Sequence, residues 1–382
     1  MSDGTLQTLD VTMLDDVNNA SGLIQLDSNA KIPACSGASI TGISGVTKNA
    51  SDPALDTNPS GGVGTVWQNT TSGEMFICTN ATAGSNTWTN IGAGTGDIEP
   101  YSFAGLLYGY TAGGYAGGYN DTIDKFAFAT SANATDVANL TRGVYATGSF
   151  GSETHGYSAG GEYGPASTRV EKWAFTSDAN AVTLFDPPAN SHAQGCWGTH
   201  SQTAGYISGG GVHANMSKVT FASDSSSVDW GDSTSSPGSG SGCSSTTHGW
   251  NVQGMNQGII DRFSFASNAG ASDWGDLSVN REYHWGTSSE THGYTHGGDN
   301  TGGGVIDKFS MASQANATDV GDLVVNRDQA AGQSSATHGY SSAGGYSATN
   351  IIEKVSFASD GNSVDTTADV TLARRWCAGT EY

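Results

Sequence analysis

The chain has 382 residues, a formal net charge of −22, 55 glycines, 8 prolines and 13% charged residues, against about 25% charged in an average soluble protein. So acidic a chain lacks the basic footprint of a phosphate binder, so nucleic acid and anionic membrane surfaces are not expected partners. No apolar run approaches 18 residues, and the start MSDGTLQTLD has neither the basic nor the apolar region of a cleaved secretory signal, so neither a membrane-spanning helix nor such a signal is predicted.

The first hundred residues do not follow the pattern of the rest. The stretches GLIQLDSNAKIPA (22–34) and GASITGIS (37–44) resemble connector segments of bacteriophage tail fibres. Those read Gly-Leu-(apolar)-Gln-Leu-Asp-(small)-(Asn/Gly/Ala)-Lys-Ile-Pro, then a short run with Thr-Gly or Thr-Asn. The resemblance implies that residues 1–50 are an attachment or connector segment that contacts other tail or baseplate proteins. It also implies a homotrimer located in the virion tail and made in the host cytoplasm.

Residues 51–97 are expected to be a small β-module. GTVWQNTTSGEMFICTNATAGSNTWTNIG (64–92) reads as a hairpin or three strands, with Trp67, Phe76 and Trp88 as core and TSGE (71–74) as a turn. It resembles a β-module that recurs in phage fibre proteins. AGTGDIEP (93–100) reads as a glycine-rich linker.

From about residue 98 the chain repeats. Gly-aromatic pairs at Tyr110, Tyr157, Tyr206, Trp250, Tyr294 and Tyr340 are spaced 47, 49, 44, 44 and 46 residues apart. Most of these strands end in a double glycine. After a variable loop comes a strand with one basic residue, such as IDKFAFAT, VEKWAFTS or IDRFSFAS. Its aromatics alternate, as at Phe126 and Phe128, so both fall on one face. Segments such as SDWGDL (272–277) follow, then an arginine in most units (Arg142, Arg281, Arg327, Arg374) and a strand of small residues. Four short strands per unit cannot bury their aromatic face alone, and radial stacking buries it against the next unit.

This order resembles the kelch repeat, although the tryptophan usual before the last strand has a counterpart only at Trp230 and Trp274. The predicted fold class is therefore all-β: a six-bladed kelch-like β-propeller over 98–382, preceded by the small β-module and the attachment segment. A seventh Gly-aromatic pair would fall just past Tyr382, and RRWCAGTEY (374–382) matches only the arginine and small strand. We expect that strand to join LLYGYTAGG (106–114) and close the ring, with YSFAGLL (101–107) as a competitor for the same place.

The repeated THGY (His155, His292, His338) and THGW (His248) invites a metal reading. Ala204 and Tyr108 replace the histidine in two units, and one histidine per unit would lie in separate gaps, too far apart to share an ion. Packing and hydrogen bonding are the preferred role, and no metal or cofactor is expected. The pairs Asp229/Asp232, Asp273/Asp276 and Asp319/Asp322 suit turns, with a weak cation site as the alternative. The basic residue of each outer strand (Lys125, Lys172, Lys218, Arg262, Lys308, Lys354) is read as a sheet-edge ion pair or a solvated group. The five cysteines (Cys35, Cys78, Cys196, Cys243, Cys377) form no C-x-x-C pair and are read as buried thiols, against a disulfide or metal site.

No H-E-x-x-H or P-loop motif occurs, and no catalytic residues are predicted. The unequal loops after the double glycines are the natural binding surface of a regular scaffold. They carry the ligand-binding candidates Tyr115, Tyr119, Tyr163, His213 and Tyr346, beside Asn, Asp and Ser that suit sugar hydroxyls. The same tyrosines could instead simply cover sheet edges. The expected function is a receptor-binding tail fibre that recognises a host cell-surface glycan or protein. The alternatives are a structural adaptor or decoration protein binding another viral protein and, third, a glycan-degrading or copper-dependent kelch enzyme.

Overall fold

A computed structural model describes residues 46–91, 101–162, 169–186, 192, 194–211, 213–235, 238–299 and 303–382. The tail-fibre-like stretches at 22–34 and 37–44, the linker 93–100 and Tyr163 lie outside the described residues. The chain forms two compact units, Met1–Pro100 and Tyr101–Tyr382. Among the described residues both are all-β, without helices.

In the first unit Val66–Asn69, Met75–Asn80 and Thr87–Asn90 pair antiparallel. Trp67, Phe76, Cys78 and Trp88 form its core, with the Trp67 and Trp88 rings edge to face at 5.9 Å. A fourth strand, Thr47–Asn49, adds in parallel beside Val66–Asn69. The sequence gives no sign of it, because three exposed polar residues carry no alternation. At the TSGE turn Gly73 takes φ 83°, a left-handed conformation that glycine adopts at little cost.

Among its described residues the second unit holds six four-stranded antiparallel sheets in a propeller-like arrangement. Their innermost strands are Gly148–Gly151, Cys196–His200, Ser241–Ser244, Trp285–Ser288, Ala331–Ser334 and Ala378–Glu381. Each touches the next, and Ala378–Glu381 touches Gly148–Gly151, so the circuit closes. Closure uses both ends of the unit: Ala378–Glu381 pairs antiparallel with Tyr108–Ala112, Thr380 opposite Tyr110. The competing segment does not take that place. The Gly105 amide instead donates to the Ser334 carbonyl, while the Leu107 and Tyr108 amides donate to the Tyr382 carbonyl.

Cores lie between sheets, as the alternating aromatics require. Phe126 and Phe128 of one sheet pack on Tyr340 of its neighbour, with ring centroids 5.7 and 4.7 Å apart. The glycine of two HGY stretches makes room for an aromatic of the adjacent strand: a Cβ at Gly156 would strike the Trp173 ring, and one at Gly293 the Phe309 ring, while one at Gly339 would strike Thr287 of the neighbouring sheet.

The acid and base of each outer-strand pair do not meet, because neighbours on a strand point to opposite faces. The acid turns inward: Asp124, Asp261, Asp307, Glu171 and Glu353 are buried. The base turns outward, to Asp178 from Lys125 at 3.1 Å, to Asp360 from Lys308 at 2.8 Å, and to Asp224 from Lys172. Lys218 and Arg262 lie over the rings of Trp230 and Trp274 instead. Arg281, Arg327 and Arg374 are buried and ion-paired to the inward acid of the following sheet. Arg142 does not belong to this set. Val144 fills the corresponding place, two residues before the left-handed Ala146, just as Arg281 precedes Tyr283.

Candidate functional site

Six connections between sheets converge on one end of the central channel. Ala146, Gly195, Ser239, Tyr283, Gln329 and Trp376 each take φ between 57° and 77°. The left-handed turn points each amide along the ring. The Ala146 N–H donates to the Trp376 carbonyl, Gly195 to Ala146, Ser239 to Gly195, Tyr283 to Ser239, Gln329 to Tyr283, and Trp376 to Gln329, all at 2.8–3.0 Å. This is a closed circuit of six backbone hydrogen bonds. Left-handed geometry costs a non-glycine residue about 1–2 kcal/mol, and each bond returns a comparable amount.

The other end is built from hydroxyls. The His200, Ser244 and Ser288 amides donate to the hydroxyls of Ser244, Ser288 and Ser334, one sheet further on each time. The Ser334 amide reaches the Glu381 carboxyl, which burial pushes up to about 8. Phe103 closes this end, its carbonyl 3.4 Å from His200 Nε2. The cavity between has a volume of about 130 Å³. Small-molecule sites usually measure about 300–1,000 Å³, so the channel suits a few waters, at about 30 Å³ each, and not a sugar.

The larger surface lies outside the backbone circuit. Tyr115 and Tyr119 stand on the loop after Gly113-Gly114, and Tyr145 precedes Ala146. The Tyr119 and Tyr145 rings stack at 5.6 Å and 16°, and Tyr115 meets Tyr145 edge-on at 5.7 Å. Tyr145 continues to Trp376 at 6.1 Å, and Trp376 to Tyr283 at 4.7 Å. Burial, and then Glu162, raise the Tyr145 phenol, keeping it protonated. Main-chain bonds between Tyr115 and Arg375 fix the rim: the Tyr115 amide donates at 2.7 Å and the Arg375 amide returns at 3.2 Å. The Arg375 guanidinium lies 5.9 Å from the Tyr115 ring and 5.2 Å from the Tyr346 ring, and donates to the Tyr346 carbonyl at 3.1 Å. Tyr346 is 84% exposed and Tyr119 44%.

Of the predicted ligand residues, Tyr115, Tyr119 and Tyr346 therefore share one rim. His213 is exposed on the loop before Asn215–Thr220 and makes no described contact with them. Tyr145, Tyr283, Arg375 and Trp376 belong to the surface but not to the predicted set. Their signal was the aromatic after the repeat arginine, in RGVY, REYHW and RRW.

The four repeated histidines hold no common site. Each Nδ1 lies 2.8–2.9 Å from the hydroxyl of its own threonine, at Thr154, Thr247, Thr291 and Thr337. A serine three residues earlier accepts the histidine amide, at Ser152, Ser245, Ser289 and Ser335. The repeated unit is thus Ser-x-Thr-His, a hydroxyl-capped turn. The aspartate pairs behave alike: Asp229, Asp273 and Asp319 accept the amides of Gly231, Gly275 and Gly321. Among the described residues no three His, Cys, Asp or Glu side chains converge as metal ligands. The rim can stack flat apolar faces and donate hydrogen bonds, which is binding chemistry. No family model matches the chain, and no curated protein matches its sequence.

Proposed function

We propose that the protein is a phage tail fibre whose second unit is a six-bladed kelch-like β-propeller that recognises a host cell-surface glycan. The N-terminal region attaches to the tail, three copies assemble, and avidity strengthens weak single sites. One observation carries the glycan reading: Tyr119, Tyr145, Tyr115 and Tyr346 gather around one rim, two of them well exposed. Tyrosines present rigid apolar faces with a polar edge, matched to the C–H faces and hydroxyls of a sugar. The test uses the full chain on a glycan array and on host cells. Wild type is expected to bind, and Tyr119→Ala and Tyr346→Ala to weaken binding about tenfold. Absence of binding to any glycan or cell, with stable incorporation into virions, overturns the receptor reading in favour of an adaptor. Release of sugar from host polysaccharide overturns it in favour of an enzyme.

A further inference from the structure

We propose that Arg375, held between Tyr115 and Tyr346, makes this rim selective for saccharides that bear an anionic group, a carboxylate or a phosphate. The inference rests on the glycan reading and names its ligand class. Four other arginines of the unit have their charge met: Arg281, Arg327 and Arg374 lie 2.7–2.9 Å from a buried carboxylate oxygen, and Arg262 covers the Trp274 ring at 3.9 Å. Arg375 differs. Asp328 senses its charge from a distance, but among the described residues no carboxylate oxygen comes within 4.0 Å of its guanidinium. One N–H donates to the Tyr346 carbonyl, and its remaining donors have no described partner.

The side chain is also held in place. Its main chain is locked to Tyr115 by two hydrogen bonds, and its neighbour Trp376 belongs to the backbone circuit. Two aromatic faces flank the guanidinium and leave its edge for a ligand. A planar fork of N–H donors beside rings matches a carboxylate or phosphate bidentately, while the rings carry the sugar face. The chain's overall charge of −22 opposes such a ligand at long range. At 0.15 M salt that field is screened within about 8 Å, so contact chemistry decides.

The test uses full-length protein and paired polysaccharides: a uronic-acid polymer with its carboxyl-reduced form, and a phosphorylated polymer with its dephosphorylated form. Wild type is expected to bind the charged member of at least one pair tenfold or more tighter than its neutral partner, and the pair that responds identifies the anion. Arg375→Gln should bind charged and neutral members alike. Arg375→Lys should restore part of the preference at most, because a point charge lacks the fork. Both variants should melt like wild type. Equal binding within both pairs by wild type, or a preference retained by Arg375→Gln, overturns the inference and leaves the glycan reading standing. Absence of binding to every polymer and every cell overturns that reading itself.

Discussion

Arg374 donates to Asp124 at 2.9 Å, with both side chains fully buried. One residue belongs to the last outer strand and the other to the first sheet, so this ion pair is part of the lock that closes the circuit. Arg374 also donates to the Thr111 carbonyl, and Asp124 accepts from both the amide and the hydroxyl of Thr371. The same design recurs as Arg281 with Asp307 and Arg327 with Glu353. For the two inward acids that lack this buried arginine, other groups serve: Thr141 and Arg169 for Glu171, Thr234 and Gln253 for Asp261.

Removing one partner of such a pair leaves the other buried and uncompensated. Arg374→Ala should cost about 3–5 kcal/mol of stability in urea unfolding. Arg374→Met combined with Asp124→Leu should cost less than Arg374→Ala, since no charge is then stranded. A loss below about 1 kcal/mol in Arg374→Ala would show that closure does not depend on the pair.

The repeat itself was readable because one structural unit recurs with one spacing, and its Gly-aromatic pair reports a close contact that only glycine permits. The closing strand was readable for the same reason, as a fragment of the unit left over at the end. The backbone circuit was not. Ala146, Gly195, Ser239, Tyr283, Gln329 and Trp376 share a left-handed backbone and no side-chain chemistry, so nothing aligns them by residue type. The bases of the outer strands were readable as edge ion pairs at Lys125, Lys172 and Lys308, but not their partners, which come from a neighbouring sheet's turn. Three of the rim tyrosines were legible from loop composition. Arg375 and Trp376 were not, since it is ring closure that brings them beside Tyr115.

The inner strands pack glycine on backbone around the channel. A Cβ on Gly286 would sit on the Gly242 carbonyl, one on Gly332 on the Gly286 carbonyl, and one on Gly379 on the Gly332 carbonyl. The corresponding Ser149 has its hydroxyl 2.5 Å from the Gly379 carbonyl. Gly286→Ala must therefore push two sheets apart and should cost about 1–3 kcal/mol. Ser149→Gly should cost about 1 kcal/mol, the worth of its hydrogen bonding. Denaturant midpoints check the order, and a neutral Gly286→Ala would contradict the close packing.

Cys78, Cys196, Cys243 and Cys377 are buried free thiols. Burial pushes Cys196 and Cys377 up to about 11 and Cys243 to about 12, and raises Cys78. The thiolate is the reactive form, so these four should resist a thiol reagent at pH 8 in the native protein and react once denaturant unfolds it. Cys35 lies outside the described residues. Mass spectrometry of labelled peptides reads the result, and native labelling of any of the four within minutes would contradict it.

Three buried histidines, the half-buried His200 and the half-buried Glu381 carboxyl should set the pH of greatest stability. Burial lowers His192 and His200 to about 4 and His284 and His296 to about 3, from about 6.5 in the unfolded chain. Below pH 6.5 the unfolded state takes up protons that the folded state refuses, so stability falls as pH falls, by about 1.4 kcal/mol per unit for each histidine. Glu381, raised by burial to about 8, works in the opposite sense. Its folded form keeps a proton that the unfolded form loses above about pH 4.5, so its contribution is full below that pH and is lost as pH rises through 8. Between 4.5 and 6.5 these histidines, joined by the lowered His155, His248, His292 and His338, outweigh the carboxyl, so stability rises steeply with pH. Between 6.5 and 8 Glu381 contributes a slope of about 1.4 kcal/mol per unit in the other direction. Stability should therefore peak near pH 6.5, falling steeply on the acid side and gently on the alkaline side. Glu381→Gln should flatten the alkaline limb and leave the acid limb in place. Urea unfolding across pH 4.5–8.5 measures both limbs, and an alkaline limb unchanged in Glu381→Gln would remove the carboxyl from this account.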